Sequence, residues 1–170
     1  MTPEPPFTAA SLLTLARRSL IVPVLVIDDP ASAVPLARAL RDAGLPMLEV
    51  TLRTPAALLA IREMRTALPD LVVGAGTVRS PHEAAAAQAA GAQFAVSPGY
   101  TADLGRYARE HQWPLLPGVA TATEVMVARD DGFDFLKLFP AAACGGIALL
   151  DALHGPFPDL AFCPTGGIDG

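Results

Sequence analysis

Strand-like and helix-like segments alternate along the whole chain at a spacing of roughly 20 to 26 residues, and that rhythm leaves few folds open. The strand-like segments are 20–27, 45–53, 71–77, 93–97, 114–119, 133–139 and 160–165, behind a leading helix expected over about 8–19. Start signals separate them. Asp29-Pro30, Thr54-Pro55 and Ser80-Pro81 each put a capping side chain before a proline suited to the first helical position. Ser80 with Glu83 and Thr121 with Glu124 also have capping-box spacing. Gly44, Gly91, Gly132 and Gly155 supply the stops. Strands joined by helical crossovers are parallel, because a tight turn can only reverse the chain.

An open doubly wound sheet and a closed barrel both fit this alternation, and the second strand separates them. Leu48, Val50 and Leu52 form one apolar face, and Glu49, Thr51 and Arg53 form a polar one. A central strand of an open sheet is apolar on both faces, since helices cover both. A barrel strand has a helix-facing side and an interior side, and the interior turns polar near the carboxy-terminal mouth. The expected fold is therefore α/β, a TIM-type (β/α)8 barrel. Seven strands are counted, so the barrel is expected to be truncated after strand seven: one domain over 1–170 lacking the final βα unit.

Composition narrows the function. The 170 residues are 52% hydrophobic with a net charge of −5 and no basic run, which disfavours nucleic acid and anionic membrane surfaces as partners. The run 20–27 is far too short to span a bilayer, and residues 1–6 have no basic leader pattern. Cys144 and Cys163 are too few for a disulfide scaffold and are not spaced as a metal motif. A soluble, cytoplasmic protein is expected. His82, His111 and His154 fall at helix starts or ends with no metal partner, so no metal site is expected.

Lys137 is the only lysine in the chain. Alternation through 133–139 places it on one face with Phe133, Phe135 and Phe139. An ammonium among aromatic rings loses hydration, which favours the neutral, nucleophilic amine that a Schiff base requires. A lysine whose stem packs on apolar surface while its head reaches water is the plainer reading of the strand alone. Its neighbours at the strand ends weigh against that. Glu49 and Arg53 follow from the second strand, Thr77 from the third, Thr121 from the fifth and Thr165-Gly166-Gly167 from the seventh. In these positions the amine attacks a ketone, Arg53 forks a carboxylate with Thr77 as a further donor, and Glu49 moves protons. Gly166 and Gly167 offer backbone N–H groups to an anion such as phosphate. A structural ion pair explains Glu49 and Arg53, taken alone, equally well. Cys163 reads as a small core residue, and Ser97-Pro98-Gly99 as turn chemistry.

The motifs carrying these residues resemble the 2-keto-3-deoxy-6-phosphogluconate (KDPG) aldolase family, which is related to the 4-hydroxy-2-oxoglutarate (KHG) aldolases. They are Leu48-Glu49-Val50-Thr51-Leu52-Arg53-Thr54, Val73-Gly74-Ala75-Gly76-Thr77-Val78, Ala95-Val96-Ser97-Pro98-Gly99 and Leu116-Pro117-Gly118-Val119-Ala120-Thr121. Phe135-Leu136-Lys137-Leu138-Phe139-Pro140-Ala141 and Phe162-Cys163-Pro164-Thr165-Gly166-Gly167-Ile168 complete the set, in order across the chain. The resemblance implies a (β/α)8 barrel, usually a homotrimer, performing class I aldol chemistry on a 2-keto acid with no metal or cofactor beyond the covalent Schiff base. It implies Lys137 as the Schiff-base lysine and Glu49 as the proton-transferring carboxylate. Arg53 and Thr77 would hold the pyruvate carboxylate, Pro98 and Phe139 would form pocket walls, and Thr165, Gly166 and Gly167 would belong to the substrate and phosphate site. The family's eighth strand, whose Gly-Gly-Ser loop helps bind phosphate, has no counterpart in the 170 residues. The expected reaction is reversible cleavage of KDPG to pyruvate and glyceraldehyde 3-phosphate. Cleavage of KHG is the alternative within enzymes, and an inactive barrel fragment or sugar-acid binding protein the alternative outside them.

Overall fold

Helix starts form where side chains can satisfy the free N–H groups of a first turn. The computed structural model describes residues 7–168; the stretch 1–6 and the terminal Asp169 and Gly170, both part of the sequence reading, lie outside them. Helix α1 (Ala9–Ser19) begins on Thr8, which accepts from the Ser11 N–H. Ser80 caps α4 (Pro81–Ala89) and Thr101 caps α5 (Ala102–Glu110) in the same way. Thr121 and Glu124 close a complete capping box on α6 (Ala122–Asp130). The box expected at Ser80 is displaced by one residue, since Glu83 accepts from the Arg79 N–H.

Two other starts differ from expectation. Asp29 accepts from the Ala31 N–H but opens a short 3-10 turn, Pro30–Ser32, ahead of α2 (Ala33–Asp42). Thr54 caps nothing: its hydroxyl donates to the Ile27 carbonyl at 2.5 Å, and α3 (Ala57–Ala67) starts without a side-chain cap. The hydroxyl is directed to a tertiary carbonyl instead of to the first turn of the helix. Gly44, Gly91 and Gly132 adopt the left-handed conformation that ends a helix, whereas Gly155, after α7 (Gly146–His154), stays right-handed.

The strands are β1 (Val24–Leu25), β2 (Met47–Thr51), β3 (Val72–Gly76), β4 (Ala95–Val96), β5 (Leu115–Leu116), β6 (Gly118–Val119), β7 (Phe135–Leu138) and β8 (Ala161–Pro164). Every pairing is parallel. The order is β1-β2-β3-β4-β5 in one sheet and β6-β7-β8 in the other. The expected fifth strand is thus two pieces of one pass, split at Pro117. Proline has no N–H for the ladder, but its carbonyl accepts from the Lys137 N–H at 2.8 Å.

One face of each sheet packs on helices. Leu48, Val50, Val73 and Ala75 join α2–α5 in one core, and Val119, Leu136 and Leu138 join α6 and α7 in another. The opposite face gathers Met47, Phe94, Val96 and Leu116 with Phe135 of β7, Cys163 of β8 and Leu12 of α1. Phe133 is not on this face, contrary to the alternation. It precedes β7, joins the helix-side cores and meets Tyr100 edge-on, with ring centroids 5.5 Å apart. Among the described residues, no helix is long and apolar enough to cross a membrane.

Candidate active site

The polar face of β2 opens into a cavity of about 1040 Å³. Glu49, Thr51 and Arg53 reach it from β2 and the turn after it, Thr77 from the end of β3, and Lys137 and Phe139 from β7 and beyond. Pro98, Thr165, Gly166 and Gly167 line it as well. All nine residues expected to form the site are therefore brought to one cavity. Thr121 is not: it is exposed, and its hydroxyl accepts from the first turn of α6.

Lys137 and Glu49 lie at its buried centre, 6% and 3% exposed, with Nζ 3.8 Å from Oε1. That spacing is an ion pair beyond hydrogen-bond length, and Glu49 Oε1 has no hydrogen-bond partner among the described residues. Burial pushes the Glu49 carboxyl up from its ordinary value, and the opposing charges of Lys137 and Arg53 offset this only in part. Nζ also sits 5.2 Å from the centroid of the Phe139 ring.

Glycine makes room for this carboxylate. A Cβ on Gly76 would overlap Glu49 Oε1 and lie 2.5 Å from its Cγ and Cδ, deep inside van der Waals contact. The next residue, Thr77, is held at φ +58°. A β-branched side chain is strained there, and such strain concentrates at functional sites. The Thr77 hydroxyl has no partner among the described residues. Pro98 is fixed from behind, because Gly118 lies so close to its backbone carbonyl that a Cβ there would overlap it.

At the end of β8, Thr165 is threaded between two segments: its N–H donates to Leu138 and its carbonyl accepts from Ala141. Gly166 and Gly167 follow with φ of +96° and +71°, a conformation that glycine alone adopts freely. Their N–H groups have no acceptor among the described residues.

Two groups at the cavity escaped the sequence reading. Cys163 faces it in register with Lys137 rather than filling a helix-side core. Its parity with Thr165 along one strand was the available signal. Burial pushes its thiol up despite the opposing pull of Thr165 and Lys137, which disfavours the thiolate a nucleophile needs. Leu13, Ala16 and Leu20 of the leading helix segment line the flank beside Val24 of β1 and Phe162 of β8. Nothing local marked that helix as part of a site. Among the described residues, no group of three or more His, Cys, Asp or Glu could hold a metal ion.

The model of the family described as KDPG and KHG aldolase matches residues 13–170. A 2-dehydro-3-deoxy-phosphogluconate aldolase of Pseudomonas aeruginosa is 51% identical over 159 residues, covering 94% of this chain and 72% of that protein. A KHG/KDPG aldolase of Escherichia coli is 47% identical over 161 residues, covering 95% and 74%. Among solved structures, the KDPG aldolase of Zymomonas mobilis with 3-phosphoglycerate superposes with a TM-score of 0.91 at 48% identity, covering 95% of this chain and 77% of that one. The KDPG aldolase of Legionella pneumophila, with pyruvate captured at low pH as a covalent carbinolamine intermediate, gives 0.90 at 44% identity over the same shares. A match of this extent, laid over a cavity built from the motifs themselves, means that the chain belongs to the KDPG and KHG aldolase family.

Proposed function

We propose that this chain is a class I aldolase that reversibly cleaves KDPG to pyruvate and glyceraldehyde 3-phosphate through a Schiff base on Lys137. The observation that carries the reading is the buried pair of Lys137 and Glu49, one amine and one carboxylate 3.8 Å apart at the centre of the cavity. The carbinolamine captured in the Legionella relative is the first covalent state such an amine would form.

In this mechanism Nζ gives a proton to Glu49, and the lone pair so freed adds to the C2 carbonyl; the carbinolamine hydroxyl then takes that proton and leaves as water, giving an iminium. Glu49, whose carboxyl burial has raised above its ordinary value, takes the proton of the C4 hydroxyl. The C3–C4 bond then breaks. Its electron pair moves into the iminium, leaving an enamine, and C4 departs as the aldehyde. Protonation at C3 and hydrolysis of the iminium release pyruvate and restore the lysine. Arg53 and Thr77 hold the substrate carboxylate, Pro98 and Phe139 wall the reacting carbons, and Thr165, Gly166 and Gly167 receive the phosphate end through hydroxyl and N–H donors. The chemistry needs no metal or other cofactor.

A (β/α)8-type barrel in a single domain is part of the same proposal. Glu49 on β2 and Lys137 on β7 are four strand steps apart in sheet order. In a flat sheet they would stand about 19 Å apart, so a contact at 3.8 Å favours a sheet curled around its polar face. The proposal extends to a cytoplasmic homotrimer, for which exposed Met126, Val127 and Ile147 offer apolar surface.

KHG cleavage is the second reading, favoured by the E. coli relative that bears both names. Rates on the two substrates decide between them. The central test is borohydride reduction in the presence of pyruvate. It should fix an adduct on Lys137, and Lys137→Arg should abolish it, since a guanidinium stays protonated and forms no imine. A folded chain whose lysine stays unmodified would overturn the mechanism.

A further inference from the structure

Thr51 is a buried hydroxyl, 2% exposed, on the cavity face of β2, and the aldol steps have no use for it. Its Oγ1 donates to the Leu25 carbonyl of β1 at 2.9 Å and accepts from Arg53 Nε at 3.2 Å. A hydroxyl has one proton and two lone pairs. Giving the proton to a carbonyl that the β1–β2 ladder holds in place leaves a lone pair facing Nε. Arg53 lies past the end of β2, in a turn, with an exposed side chain. The bond to Thr51 is its only hydrogen bond among the described residues.

A guanidinium can fork a carboxylate side-on, through Nε and one terminal nitrogen, or end-on, through the two terminal nitrogens. With Nε engaged by Thr51, only the end-on fork keeps two free donors. The geometry points to Thr51 as a positioning residue: it selects the end-on presentation of Arg53 and so sets where the substrate carboxylate sits relative to Lys137. This rests on the reading that Arg53 binds that carboxylate.

Thr51→Val keeps the branched shape that suits a strand and removes both hydrogen bonds. It is expected to raise KM for KDPG roughly tenfold, with kcat changed much less, because the chemical groups at Lys137 and Glu49 remain. Thr51→Ser should restore KM. Thr51→Val combined with Arg53→Ala should be no worse than Arg53→Ala alone, since the first residue acts through the second. Thr51→Ala replaces the valine variant if valine disturbs folding, as judged by thermal melting. An unchanged KM in the folded hydroxyl-less variant, or effects that multiply in the double variant, would overturn the inference. If Arg53→Ala itself leaves KM unchanged while the wild type traps pyruvate, the carboxylate reading of Arg53 falls. If only the Thr51 variants are silent, that reading stands and Thr51 alone is excluded.

Discussion

Glu49 Oε1 stands 3.8 Å from Lys137 Nζ with both side chains buried, and neither a backbone N–H nor a hydroxyl of the described residues bonds that oxygen. A buried carboxylate is normally surrounded by donors, because leaving water without them is costly. Here one oxygen is held beside an ammonium and left free. That arrangement suits a group whose partner is a proton in transit.

The raised Glu49 carboxyl has a signed consequence for stability. A carboxyl whose folded value lies above its unfolded one binds more protons in the folded state between the two, so stability falls as pH rises through that window. The window opens at the ordinary carboxylate value near 4.5 and closes at the raised value. Glu49→Gln imitates the protonated form. Its melting temperature should match the wild type at acid pH and exceed it at neutral pH, while aldol cleavage is lost. Melting curves from pH 4 to pH 8 check this; a difference that shrinks with rising pH would contradict it.

Gly76 bears directly on the same carboxylate. Gly76→Ala puts a methyl group where Oε1 now lies, and displacing a reacting group by about 1 Å lowers turnover by roughly 10²-fold. Lys137 is untouched, so pyruvate trapping by borohydride should persist. Equal loss of trapping and turnover would mean that the whole cavity, and not Glu49, had moved.

Thr77 trades stability for its place at the cavity. Asparagine tolerates the left-handed region better than a β-branched residue, so Thr77→Asn should stabilise the fold by about 1 kcal/mol. The hydroxyl is unpartnered among the described residues, so its removal breaks no internal bond. Urea denaturation measures the gain, and a weaker KM for substrate is expected alongside it. A destabilised variant would show that Thr77 is not strained.

The strand carrying Lys137 is anchored from its other face. Leu136 is fully buried against the core shared with α6 and α7. Leu136→Ala should cost about 2–5 kcal/mol, through lost burial and the cavity left behind. The urea midpoint should fall with the slope unchanged.

Much of this was legible along the chain. Period-two alternation in 45–53 separated Leu48 and Val50 from Glu49 and Thr51, and the structure keeps those faces apart. Ser80 and Thr121 cap the helices they precede. Thr54 and Phe133 were misread for one shared reason. A carbonyl from the β1–α2 connection captured the Thr54 hydroxyl, and packing against Tyr100 drew Phe133 to the helix side. Pro117 splits a strand that the apolar pattern runs straight through. Cys163 reaches the cavity because β8 keeps its alternation up to Thr165, although its neighbours looked like core.

By itself, then, the sequence determined which side chains share a face, where most helices begin and that the strands run parallel, because these depend on neighbours a few residues away. Tertiary structure decided that Glu49 and Lys137 meet, that Gly76 leaves room for the carboxylate and that Thr51 ties Arg53 to β1. Those contacts join strands far apart in the sequence, so no pattern among near neighbours could fix them.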